Sequence, residues 1–460
     1  MSLRVLITTW GSLGDLHPYL ALGVELQRRG HAASVATLGV LESAVRQAGL
    51  GFHPIRPDVS PDDPDARELI RRVLDPRGGP AYLFERVFAP ATRATYDDTV
   101  AALEAARADL LITHQVPVTG PIAAQTTEVP WVSGVLLPMS FLSAYDPATP
   151  PQAPALRRIA MLHPAVARVM NRLGRRVTES WVEPVYRLRE ELGLPRGDNP
   201  LFEGQHSPSL VLGLFSHVFA AKQEDYPPQT VITGFAFYDA AGERPASPDL
   251  LRFLDEGAPP VVFTLGSSAV WIAEDFYGTS IEAARALGVR AVLLAGEQTA
   301  ALRRAGLPPG IVAFDYAPHS LVMPRASVIV HQGGVGTTAQ ALRSGRPMLI
   351  VPFGQDQPDN ARRCVSLGVA RTISRAAYLA PRVVSELSAL LGNGEYSRRA
   401  AGVGAAVRSE HGARTACDEI ERTFQRGAHG APASRPASAK ATAARRSASR
   451  EGGGVGRSPT

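Results

Sequence analysis

Cysteine is almost absent, with Cys364 and Cys417 the only two in 460 residues. Two thiols cannot build a disulfide framework, nor the thiolate cage of a structural zinc or iron–sulfur site, and they fit a reducing compartment. Lysine is as scarce. Of 48 basic side chains only Lys222 and Lys440 are lysines, and neither stands in a G-K-S/T context, so Schiff-base and P-loop lysine chemistry have little material. No uninterrupted apolar run reaches the roughly 18 residues that would suggest a membrane span, and no charged, apolar, small-residue succession marks a signal peptide. A cytoplasmic chain is expected. G-x-S-x-G does not occur, which weakens hydrolase readings. A D-x-D metal signal can be read at Asp63-Pro64-Asp65, but its proline-rich setting reads as a loop rather than a strand end.

The length exceeds one ordinary core, so two or three domains are expected. With 45% hydrophobic and 20% charged residues, 42 Gly and 38 Pro, the chain reads as globular and rich in turns. Its formal charge of +5 invites a nucleic-acid reading until the charge is located. From Arg426 onward seven basic residues face Glu451 alone, so +6 belongs to an Ala/Ser/Pro/Gly/Arg-rich tail and the body carries −1. Such a tail cannot bury enough apolar surface to order, and it reads as a solvated appendage outside the chemistry. No nucleic-acid partner is expected.

The first sixty residues have the rhythm of a βαβ unit: a strand (Leu3 to Thr9), a loop (Gly11-Ser12-Leu13-Gly14-Asp15), a helix ending at Arg28-Arg29-Gly30, and a strand from Ala33 to Leu38. Active-site groups of such sheets belong at the carboxyl ends of the strands, which places Gly11 to Asp15 at a crevice. Segments 109–113 and 131–136 read as later strands, with His114 ending the first. In 156–190, Ile159, Val166, Val169, Leu173 and Val177 recur at helical spacing beside arginines. That pattern reads as a packing face, with peripheral membrane contact as the alternative. After a polar, proline-rich linker at 239–248 the cycle restarts with strands 261–265, 291–295, 328–331 and 348–351.

The strongest local signal is His331-Gln332-Gly333-Gly334-Val335-Gly336-Thr337-Thr338-Ala339, between a strand and a helix expected near Thr337. Glycines let backbone approach a ligand closely, Thr337 and Thr338 can cap, and a helix amino terminus presents free N–H groups to an anion. A tight turn with no ligand is the plain alternative. The whole run from Tyr316 to Thr338, with Ser344-Gly-Arg-Pro347 and Pro352-Phe-Gly-Gln-Asp356-Gln357, resembles the donor signature of family 1 nucleotide-sugar glycosyltransferases. Gly11-Ser-x-Gly-Asp-x-x-Pro18 is similar to the opening loop of the bacterial, sterol-glycosylating and rhamnosyl-transferring branches.

The resemblance implies α/β GT-B architecture: two Rossmann-like, doubly wound parallel-sheet domains facing a central cleft. Residues 1–238 would bind the acceptor, 249–426 the nucleotide sugar, and 427–460 form the tail. It implies that Tyr316 stacks on the donor base and that His331 contacts the diphosphate. Gly14, Gly333, Gly334, Gly336, Thr337 and Thr338 would cradle the donor, with Ser267 or Ser268 adding a hydroxyl and Asp356 and Gln357 holding sugar hydroxyls. Ala339 stands where plant members place a ribose-binding Glu, with Gln340 one residue late, so UDP and TDP both stay open. Plant members pair a His in the opening loop with an Asp at a later strand end; here Asp15 and His114 reverse that order. Asp15 is a plausible proton acceptor at the sheet edge, and His17 is its rival. The implied activity is inverting, metal-independent hexosyl transfer without a resident cofactor. The acceptor would be a small apolar or lipid hydroxyl compound meeting Phe84, Phe88, Met139, Phe141 or Phe215, with plain core packing as the alternative for these side chains. Gly334-x-Gly336-x-x-Ala339, with Asp356 about twenty residues on, also fits an NAD(P)-dependent oxidoreductase, and a non-catalytic sugar-nucleotide binder is a third reading.

Overall fold

The computed structural model describes residues 2–59, 63, 65–239 and 246–424. Strands β1 (Arg4–Thr8), β2 (Ala32–Thr37), β3 (Gly51–Pro54), β4 (Leu110–His114), β5 (Trp131–Val135), β6 (Val211–Gly213) and β7 (Thr230–Ile232) form one sheet in the order β3-β2-β1-β4-β5-β6-β7. Strands β8 (Val261–Thr264), β9 (Ala291–Leu294), β10 (Ile311–Phe314), β11 (Val328–His331), β12 (Met348–Ile350) and β13 (Ala370–Thr372) form a second, ordered β10-β9-β8-β11-β12-β13. The strand pairs run parallel in both, with Val5 opposite Leu110 and Val328 opposite Val261. Parallel strands covered by helices on both faces must be apolar without alternation. Leu6-Ile7, Leu110-Leu111-Ile112 and Val328-Ile329-Val330 meet that demand and are fully buried.

In each sheet the strand order reverses once, between β1 and β4 and between β8 and β11. A crevice opens outside the carboxyl ends of strands at such a point. The 11–15 loop and His114 lie at the first reversal, and the 266–268 and 332–338 loops at the second.

Three connections tie the halves together. The last helix, Gly412–Phe424, follows the second sheet in sequence but packs on the first, with Ala416, Cys417 and Ile420 buried among Leu20, Leu22 and Leu26. Arg29 reaches its Asp418 and Glu421 at 2.6 and 2.9 Å. Leu74, from the first half, is buried in the core of the second. Asp146 on a first-half loop meets Arg363 at 2.6 Å, while Asp359 holds the same guanidinium at 2.7 Å and accepts the Thr149 N–H at 3.0 Å.

The packing expectation is overturned over 156–178 and holds further on, where Val182, Val185, Tyr186 and Leu188 are buried. In the helix Pro164–Thr178 only Ala167 is buried, while Ile159, Val169, Leu173 and Val177 are exposed. Helical periodicity marks an apolar face but not what covers it, and this helix makes its main contacts with its neighbours in sequence. Within the expected linker, Asp239 pairs with Arg343 at 2.7 Å and a helix begins at Pro248. Residues 240–245, Pro64 and the 427–460 tail lie outside the described residues. Asp63 and Asp65 sit in the turn before the helix Ala66–Val73, not at a strand end.

Ile420→Ala tests the cross-over of the last helix. The side chain is 0% exposed, and its truncation is expected to cost about 2–5 kcal/mol in denaturant unfolding. A change below about 0.5 kcal/mol would place this helix outside the core.

Candidate active site between the two sheets

On leaving β1 the chain makes the turn Thr9-Trp10-Gly11 and starts the helix Leu13–Arg28 at Ser12. The start is a capping box: Ser12 Oγ accepts the Gly14 N–H at 3.2 Å, and Asp15 Oδ2 accepts the Ser12 N–H at 2.8 Å and its hydroxyl at 3.1 Å. Gly11, at φ +136°, is required here, because a Cβ would stand 2.4 Å from Asp15 Oδ2. Both bonds go to one carboxylate oxygen, leaving Oδ1 without a partner among the described residues. Burial raises the Asp15 pKa, with the Ser12 bonds opposing. A carboxylate so placed can accept a proton from a hydroxyl in the cleft.

His114, at the end of β4, is buried behind this loop with Nδ1 3.3 Å from Thr9 Oγ1. Burial lowers its pKa to about 3, against a hydrogen bond to the Trp10 backbone, so it is neutral at pH 7. It supports the β1 exit and does not line the cleft. His17 does line it, its ring 5.6 Å from that of Tyr238.

On the second sheet the helix Val335–Ser344 begins two residues before the expected position, with Gly334 as its N-cap. Thr337 and Thr338 are therefore in its first turn and cap nothing. Gly334 offers no side chain, so the first N–H groups have no side-chain cap, and Val335, Gly336 and Thr337 line the cleft, an arrangement that suits an anion. His331 lies beneath. Its Nδ1 accepts the Gly333 N–H at 3.1 Å, and burial, helped by His319, lowers its pKa to about 3. The proton therefore sits on Nε2, which is buried and without a partner among the described residues. That atom is a donor in reserve beside the glycine loop.

Asp356 stands at the N-cap position of the helix Gln357–Ser366, with no capping bond from its side chain. Burial, and then the nearby charge of Asp15, raises its pKa to about 7, against a 2.6 Å bond from Asn360. Gln357 Oε1 accepts the Phe353 N–H at 2.7 Å, which leaves its amide N–H groups for a ligand. Asn360 was not singled out from sequence. Its Nδ2 bonds both Gly333 O, at 2.9 Å, and Asp356, so it locks the glycine loop to the carboxylate loop. The i, i+4 spacing from Asp356 is the signal that could have found it. Gln355 was also missed; it donates to Val73 O at 2.5 Å and ties this loop to the first half.

These loops wall a cavity of about 1330 Å³ between the sheets. Gly14, Asp15, Ser267, Ser268, Tyr316, Gly334, Gly336, Thr337, Asp356 and Gln357 line it; His331, Gly333 and Thr338 lie behind the lining with His114. Ala339 and Gln340 also line it, and Gln340 Nε2 is 3.4 Å from Asp239 Oδ1. Its first-sheet side is mostly apolar and includes Trp10, Phe84, Met139 and Trp181. Three expected acceptor contacts belong elsewhere. Phe88 packs on Trp10 at 4.7 Å, Phe141 stacks on Tyr226 at 4.0 Å, and Phe215 is fully buried; none of the three lines the cavity, because each is taken up by packing within the first half.

Two facing parallel α/β units of this kind define a GT-B glycosyltransferase in class. Residues 5–125 match the model described as the glycosyltransferase family 28 N-terminal domain, and 285–424 that of the erythromycin biosynthesis protein CIII-like C-terminal domain. The O-mycaminosyltylonolide 6-deoxyallosyltransferase of Streptomyces fradiae is 32% identical over 91% of this chain and 97% of its own length. The chain therefore belongs to the nucleotide-sugar glycosyltransferases of GT-B architecture. The sterol 3-beta-glucosyltransferase of Aspergillus oryzae is 29% identical over 92% of this chain, which spans 30% of that longer protein. Two solved structures share the fold. The glycotransferase of kitacinnamycin has a TM-score of 0.69 at 21% identity over 92% of this chain and 99% of its own. The spinosyn rhamnosyltransferase complexed with thymidine diphosphate has 0.63 at 18%, over 91% and 100%. The oxidoreductase reading falls with the family, and the glycine loop follows β11 in the middle of its sheet rather than a first strand.

A Cβ on Gly336 would meet the Gly14 backbone at 2.9 Å from Cα, whereas one on Gly14 finds nothing nearer than 3.5 Å. Gly336→Ala is therefore expected to lower kcat/KM by roughly tenfold to a hundredfold, reflecting loss of close positioning, while Gly14→Ala stays within about threefold. Equal activities of the two variants would show that the helix starts do not meet during turnover.

Proposed function

We propose that the protein transfers a hexosyl group from a nucleoside diphosphate sugar, held by the second sheet, to a hydroxyl of an apolar small molecule or lipid, held by the first. The observation that carries this is the single cleft lined at once by Asp15, by the uncapped start of the helix Val335–Ser344 and by Asp356 and Gln357. In this reading Tyr316 stacks on the base, and Ser267 or Ser268 and the N–H groups at 335–337 meet the diphosphate together with His331 Nε2. Asp356 and Gln357 hold the sugar hydroxyls. Preorganised donors of this kind offset the charge that develops on a leaving diphosphate, so the reaction is expected to run without a metal ion. Asp15 takes the proton of the attacking hydroxyl. His114 positions the loop that carries it, and His17 is the rival acceptor. With base and leaving group on opposite sheets the attack is in line, giving inversion.

The acceptors named for two relatives, O-mycaminosyltylonolide and a sterol, support a bulky, ring-containing hydroxyl compound as acceptor. The thymidine diphosphate of a solved neighbour and the absence of a carboxylate at Ala339 favour TDP-linked donors over UDP-linked ones. The proposal places the enzyme in the cytoplasm, consistent with two buried, unpaired cysteines. No helix among the described residues is long and apolar enough to cross a membrane.

Asp15→Asn keeps an acceptor for the Ser12 N–H but loses the basic oxygen, so kcat is expected to fall by about 10²–10⁴ with donor affinity nearly unchanged. His331→Ala removes a hydrogen bond to a charged group and is expected to weaken nucleotide binding by calorimetry roughly tenfold to a hundredfold. Full activity of Asp15→Asn beside a dead His17→Ala would transfer the proton to His17. Sugar-nucleotide binding with no turnover on any apolar alcohol would leave a binding protein.

A further inference from the structure

Half of the large apolar side chains exposed among the described residues, seven of fourteen, fall in the single stretch 156–177. At 100° per residue Val166, Val169, Met170, Leu173 and Val177 share one face of the helix Pro164–Thr178, with Arg172 and Arg176 alongside. Residues 156–178 contain six arginines and no Asp or Glu, in a body whose net charge is near zero. Arg158, Arg172 and Arg176 are exposed and have no carboxylate partner among the described residues. The concentration of positive charge is therefore not neutralised locally.

The face is continuous with the cleft. Leu156, Ile159, Met170, Leu173 and Val177 line the cavity, while Met161, Leu162 and Val169 lie outside that lining and are 52%, 76% and 52% exposed. A small acceptor inside the cavity leaves those three in water. What covers them must be apolar in its depth and negative at its surface. An amphipathic helix with unpaired arginines along an apolar face meets both demands at an anionic bilayer, lying in the interface with its apolar side among the acyl chains.

We propose that the 156–178 hairpin docks the protein on an anionic lipid surface and sets the mouth of the acceptor cavity against the bilayer, so that an apolar acceptor enters from the membrane. The route of entry rests on the functional reading above; the docking does not. The test is co-sedimentation of the full chain with phosphatidylcholine vesicles, with and without phosphatidylglycerol. Binding is expected only with phosphatidylglycerol, falling as salt rises. Leu162→Ser with Val169→Ser should weaken it at least tenfold, and Arg158→Gln with Arg172→Gln and Arg176→Gln about a hundredfold, at roughly fivefold per arginine. Both variants should keep turnover of a water-soluble alcohol. Unchanged binding of both variants would assign the contact to the basic tail and overturn the proposal. So would the absence of binding to either vesicle, or a self-association lost in the same variants, which would give the face to a second copy. Loss of turnover in wild type with vesicle binding intact would instead remove the functional reading.

Discussion

The site depends on one close approach, the meeting of two helix amino termini across the cleft at Gly14 and Gly336. Both helices follow strands at the reversal points of their sheets, so their free N–H ends point into the same space. A Cβ on Gly336 would fall 2.9 Å from Gly14 Cα, a contact that backbone cannot yield to. Only glycine lets the carboxylate at Asp15 and the anion site at Gly334–Thr337 share one cavity. The cross-over of the last helix, the burial of Leu74 and the Asp146–Arg363–Asp359 cluster hold that approach in place from three sides.

Desolvation sets the charge pattern inside. Burial raises Asp15 and, with the nearby Asp15 charge adding to the cost, brings Asp356 to about 7, while His114, His319 and His331 are pushed down to about 3 or 4 and stay neutral. Neutral imidazoles at and behind the lining, free N–H groups and one easily protonated carboxylate suit the diphosphate proposed above better than fixed anions would. Neutral His331 is the clearest case: its Nδ1 is spent on Gly333, which fixes the tautomer and leaves the buried Nε2–H without a partner among the described residues.

The βαβ cycles were legible in the sequence because parallel strands buried on both faces are continuous apolar runs, and β1, β4, β5, β8, β9, β11 and β12 fall within about a residue of the expected spans. Strands β3, β6, β7, β10 and β13 were not; β3 and β13, Gly51-Phe-His-Pro54 and Ala370-Arg-Thr372, lack the apolar run that marks the others. The glycine loop was found by its composition, but its helix start was misplaced by two residues. An N-cap at Gly334 leaves no side-chain signature, whereas the threonines that suggest a cap lie inside the turn. Asn360 and the return of the last helix to the first sheet escaped for another reason. The last helix's pairing with Leu22 and Arg29 is purely tertiary, and the bond from Asn360 to Gly333 is too, leaving only its i, i+4 spacing from Asp356 as a local signal. Phe141 and Phe215 were drawn to the acceptor side because an aromatic residue near a cleft and one beneath it look alike in sequence.

In the proposed reaction acceptor activation and leaving-group stabilisation come from opposite sheets across the Gly14–Gly336 contact. The anomeric configuration of the first-formed product, read by proton NMR from the coupling at the transferred sugar's anomeric carbon, tests it most directly. A single in-line displacement predicts a product inverted relative to the donor. Retention would mean that donor and acceptor are handled on the same face, which this arrangement does not allow.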